Sequence, residues 1–182
     1  MKIYIDSFGV KLKHELLQLV TCHKLLDKKL LSSDDIDSRW EKIAPEYLAD
    51  AVLQIHDYPM VSVGWAAYLG MAVAQEWDAD WEKSRKAPYT SYYGPAGFDD
   101  MDEYIVQHIL GYALESKEAI AIENIIRAMA QKTLSLIRAE QIEPQSVTAY
   151  HVFIKASEVM FKMGAAIRLK QLGYRFEEVK LK

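Results

Sequence analysis

From Tyr58 to Gln75 the chain reads YPMVSVGWAAYLGMAVAQ, without a single charged side chain. A segment like this must be shielded from water along most of its length. It is therefore either the central helix of a packed core or a membrane span. Its composition separates the two: it is rich in Ala and Gly, contains Ser62, and lacks a Leu/Ile/Phe run. It also leads straight into Glu76, Asp78 and Asp80. These features predict a buried bundle helix and no membrane association. Ala66, Gly70 and Ala74 recur every fourth residue, so they form a shallow groove along one side where another helix can approach closely. Trp77 and Trp81 continue that side. The helix is expected to start at Pro59 and run to about Lys86.

A core helix needs helices around it, and the remaining sequence supplies them. Residues 1–182 have enough apolar material, 51% hydrophobic against 26% charged, for one globular domain. Leu12, Leu16, Leu19, Val20, His23, Leu26 and Leu30 fall on one stripe and predict a first helix over Val10–Leu31. Ser32 to Asp35 offer caps for a short helix to Ile43, and Pro45 opens another that ends near Asp57. After the central helix, residues 87–98 hold two prolines and two glycines and predict the one long loop. Asp99 or Asp100 caps a helix to about Leu114. Ser116 to Ala139 forms the next, and Pro144 opens the last, which ends before Gly173 with an unusually broad apolar arc. The expected fold class is all-α, a single-domain bundle of about six helices. Met1 to Phe8 and the 173–182 tail alternate in part, which predicts either a minor β-ribbon between the two termini or frayed ends.

Composition removes several classes of function. A net charge of −4, with basic residues scattered among acids, argues against a nucleic-acid partner. Cys22 is the only cysteine, so neither an intrachain disulfide nor a thiolate-rich zinc site can form. The residues preceding it carry Lys11, Lys13, His14 and Glu15, unlike the apolar core of an export signal, and the expected compartment is the cytoplasm. Diiron bundles need Glu-x-x-His on inward faces, and the chain has none. His14-Glu15 is followed by Gln18 where a zinc protease helix needs histidine. No cofactor is expected.

Three constellations remain. Tyr104, His108 and Tyr112 recur at i, i+4 and i+8, with Glu115 on about the same face. This predicts an inward imidazole among phenols and a carboxylate, the surroundings that tune a general acid or base. A core histidine satisfied by its neighbours fits the same spacing. His23 and Asp27, one helical turn apart, would supply two of the ligands a metal needs or form a structural hydrogen bond. Tyr89, Tyr92, Tyr93 and Phe98, set among Gly and Pro, have the composition of a contact surface or of a loop tucked over the bundle end. The loop and the broad arc of the last helix together predict a homo-oligomer acting through protein contacts, with a further protein partner as a possibility. The alternative is an enzyme or small-ligand bundle with its pocket around His108.

Overall fold

The computed structural model of the chain describes residues 1–175. Among these the architecture is all-α, 74% helical with six helices and no strand. The helices are α1 (Lys2–Cys22), α2 (Asp34–Val52), α3 (Pro59–Ser84), α4 (Met101–Tyr104), α5 (Lys117–Ala139) and α6 (Val147–Gln171). Three of them start where a serine hydroxyl accepts from a free backbone N–H: Ser33 from Asp35, Ser116 from Ala119 and Ser146 from Ala149. No helix among the described residues is long and apolar enough to cross a membrane.

α3 and α6 form the centre and the most extensive helix pair. The groove predicted on α3 is what joins them. A Cβ built on Gly70 would lie 2.0 Å from the Phe161 carbonyl oxygen, and one on Gly164 would lie 2.0 Å from that of Ala67. The two glycines thus seat reciprocally against the opposite backbone. The broad apolar arc of α6 follows from this central position, since α1, α2, α3 and α5 all pack on it. The arc is consumed inside the molecule.

Several boundaries differ from expectation: the helix expected to end near Asp57 stops at Val52, the one expected to reach Leu114 stops at Ile109, and the last starts at Val147, past Pro144. Three further differences have a local reason. The terminal ribbon does not form: Lys2–Phe8 is the start of α1, where Ile5, Phe8, Leu12 and Leu16 extend one buried stripe. Residues 176–182 of the expected ribbon lie outside the described residues. The first helix stops at Cys22 instead of Leu31. Lys24 turns to φ 61° and the Leu25 N–H bonds to the Val20 carbonyl, after which Leu26 returns to the core from a turn. Pro45 does not start a helix but sits inside α2. It is exposed, and the face bearing Trp40, Ile43, Tyr47 and Ala51 keeps α2 continuous past it.

The largest surprise follows α4. Residues Ile105–Ile109 wind as a π-helix, with the Leu110 N–H on the Ile105 carbonyl. Its inward residues are Met101, Ile105, Val106 and Leu110, so one extra residue enters the turn and the 3.6-residue register is lost.

Candidate functional site

The π turn decides the fate of the predicted histidine site. His108 is exposed, not inward, with its ring 4.9 Å from that of Tyr104. Tyr112 faces elsewhere: its hydroxyl accepts from Arg168 Nη1 at 2.9 Å and its ring lies under the guanidinium. Glu115 is exposed. The four residues therefore do not converge, because the π turn rotates the residues after Ile105 out of α-helical register. His23 is likewise exposed, at the C-terminal end of α1, while Asp27 pairs with Lys170. The two do not act as a ligand pair. Among the described residues no group of three or more His, Cys, Asp or Glu is placed to hold a metal ion.

The Tyr-rich loop folds inward. Tyr92 is fully buried and Tyr89 nearly so, and Tyr93 stacks edge-on against Tyr89 at 5.4 Å. The Phe98 ring packs 5.9 Å from that of Tyr47. Tyr89 donates to Asp50 (3.0 Å) and Tyr92 to Glu76 (2.9 Å). Arg39 holds the other side of the loop. Its Nε donates to the Tyr92 hydroxyl at 3.1 Å, and its Nη atoms donate to the carbonyls of Arg85 and Ala87. Burial pushes the Glu76 carboxyl above its usual range, against the opposing effects of Tyr92 and Arg39. These aromatics therefore cover the bundle flank, with Tyr89 and Tyr92 buried and Tyr93 and Phe98 partly exposed.

Two depressions carry more chemistry than the predicted positions. The first is a cleft of about 160 Å³ between α3 and α5, bordered by α4. Trp65 and Tyr68 make an aromatic corner there, ring centroids 5.5 Å apart and nearly perpendicular. The indole N–H of Trp65 donates to the Phe98 carbonyl at 3.0 Å, which fixes the ring. Asp102 enters from α4, and Glu123 and Arg127, an i,i+4 ion pair, from α5. Burial, with the neighbouring charges of Glu103 and Asp100, pushes the Asp102 carboxyl up to about 6; backbone N–H groups offset this only in part. A carboxylate poised near neutrality in a cleft marks a candidate site.

The second is an apolar groove of about 570 Å³ at one end of the bundle, where α2 and α3 meet α5 and α6. Val63, Leu134, Ile137 and Phe153 belong to its walls, with Ile55 and Tyr150 at 38% and 45% exposure. Its lining holds Arg138 and His56 and no carboxylate. Leu53, Tyr58 and Val147, each next in sequence to a lining residue, are 76%, 62% and 66% exposed.

Tyr68, Asp102, Glu123 and Arg127 come from three elements and share no spacing, so no pattern in the sequence brings them together. One signal was legible: Gly64, a helix-interior glycine outside the Ala66/Gly70/Ala74 stripe. Comparison with protein families, curated proteins and solved structures gives no match to this chain.

Proposed function

We infer that the protein acts through protein–protein contacts, as a homodimer joined at the apolar end where α2, α3, α5 and α6 meet. The observation that carries this reading is one surface offering both an apolar hollow and, beside it, the exposed side chains of Leu53, Tyr58, Val147 and Tyr150. A two-fold interface uses the same patch on both subunits, so that patch must contain its own complement. Exposed apolar side chains gathered around an apolar hollow mark an interaction site. A stable contact needs about 800 Å² from each partner, so the interface must extend from the hollow over Leu53, Tyr58 and Val147.

Light scattering tests the reading directly. The chain of 20.9 kDa should give twice that mass at micromolar concentration. Ile55→Glu with Tyr150→Glu, both at exposed positions, should restore the single-chain mass with unchanged helicity. A single-chain mass for the unaltered protein at every concentration would refute the dimer.

A second reading is supported by the charge of the groove. An apolar hollow of this volume, with Arg138 and His56 and no carboxylate, suits a small molecule with an apolar body and an anionic head. Dodecanoate raising the melting temperature of a monomeric protein, and failing to do so in Arg138→Gln, would favour it over the dimer.

A further inference from the structure

The α3–α5 cleft lies apart from the apolar end, and different observations carry it. Gly70 and Gly164 are required, because a Cβ at either would strike the opposite backbone. Gly64 is not. A Cβ there would meet the Ile126 side chain at 3.6 Å and the Ala130 Cβ at 3.9 Å, ordinary contact distances. Alanine would fit, and glycine in a helix interior carries a propensity cost that alanine lacks. What the missing methyl preserves is space, since Gly64, Ile126 and Ala130 all border the cleft.

Two of the groups around that space, Tyr68 and Asp102, are open to a ligand. Tyr68 is only 3% exposed, yet its hydroxyl has no hydrogen-bond partner among the described residues. The oxygen itself stays open to water, so it is free to bond a guest in the cleft. Among the described residues no cation forms a salt bridge with Asp102, whose carboxylate is met by backbone N–H groups. Arg127, the cation in the lining, is engaged by Glu123. Two carboxylates and one guanidinium leave the lining with one net negative charge. The other walls are the Trp65 and Tyr68 rings, whose faces attract cations. In size, a cavity of about 150 Å³ lodges benzene, so the cleft admits a ligand of roughly five or six heavy atoms.

We propose that this cleft is a binding site for a small organic ammonium ion, its charge held by Asp102 and the Tyr68 hydroxyl and its alkyl body against Trp65 and the gap at Gly64. The space, the unpaired carboxylate and the aromatic walls each exclude a different competitor. A neutral molecule leaves Asp102 uncompensated, an anion is repelled, and a bare metal ion has no alkyl body to fill the space at Gly64.

The test uses the full chain, labelled with ¹⁵N, and three molecules of one size: isobutylammonium, isobutanol and isobutyrate. Isobutylammonium should shift the Trp65 indole N–H saturably, with a dissociation constant on the order of 1 mM for so small a ligand. Isobutanol should bind at least about tenfold more weakly, and isobutyrate not at all. Asp102→Asn should weaken the ammonium ion by at least about tenfold, and Gly64→Ala should abolish its binding. Both variants should melt no lower than the parent, because each removes something the fold holds at a cost. The proposal is overturned by no saturable shift up to about 50 mM ammonium ion, fifty times the expected constant. Equal binding of isobutanol, or undiminished binding in either variant, overturns it too. A lowered melting temperature in Gly64→Ala would show that packing requires the glycine, and would remove the argument that the space is kept for a ligand.

Discussion

Replacing Gly70 by alanine adds one methyl group to the molecule, and the structure says where it lands. The new Cβ would lie 2.0 Å from the Phe161 carbonyl oxygen and 2.9 Å from the Ala165 nitrogen. Both are backbone atoms, so no rotamer change relieves the clash, and α3 must move away from α6. Moving it opens the reciprocal seat of Gly164 against Ala67 and loosens the most extensive helix pair in the fold. Overpacking in a core costs about 1–3 kcal/mol, and this case belongs at the top of that range because rigid backbone is on both sides. Alanine returns about 1 kcal/mol of helix propensity. The packing loss at the second seat offsets that gain, giving a net loss of about 3 kcal/mol. For a domain of this length that lowers the melting temperature by about 6–12 °C. Gly64→Ala is the internal control, with the same helix, the same substitution and the same propensity gain but only ordinary contacts. It should be neutral or stabilising by up to about 1 kcal/mol. Thermal melts followed by circular dichroism, with urea titrations for the free energies, measure both. Equal melting temperatures for the two variants would refute the close crossing of α3 and α6.

Three further outcomes follow from named contacts. Arg39→Met removes the donor that ties α2 to the Arg85 and Ala87 carbonyls and to Tyr92. It should cost about 2–4 kcal/mol in urea unfolding and expose the 85–92 segment to proteolysis. Asp102→Asn should change the pH dependence of stability. The folded carboxyl, near 6 against an ordinary 3.8, holds its proton more tightly than the unfolded chain. Its contribution therefore worsens as pH rises from about 4 to 6 and is fully unfavourable above that window. A displacement of that size corresponds to about 3 kcal/mol at full burial, reduced to about 1–2 for a half-exposed group. The variant should gain that much at about pH 7.5 and nothing at about pH 4; equal gains at both, in urea titrations, would contradict the assignment. Pro45→Ala restores an N–H to the exposed side of α2 and should stabilise by about 1–2 kcal/mol in the same assay.

Wherever burial repeats at 3.6 residues over many turns, the amino-acid order alone carried the architecture. The charge-free run from Tyr58 to Gln75, its Ala66/Gly70/Ala74 stripe and the faces of α5 and α6 follow from local periodicity and the exclusion of charge from a core. Ser33 and Ser116 were equally open to reading as helix starts, whereas the last helix begins after Ser146 and not at Pro144. Tertiary packing decided the rest, because the competing local forms lie within a few kcal/mol and long-range contacts choose among them. Pro45 stays helical because the opposite face of α2 is buried. The first eight residues join α1 because Ile5 and Phe8 find the core. Residues Ile105–Ile109 add an extra residue to the turn, which turns His108 out to solvent and sends Tyr112 to Arg168. The Tyr-rich loop could cover the flank or face outward with the same composition; Arg39, Asp50 and Glu76, distant in sequence, pull it in. The cleft of Tyr68, Asp102, Glu123 and Arg127 exists only once three helices meet, so no spacing in the chain announces it. That Gly64 borders it without being needed by the helix shows only in the packing around its Cα.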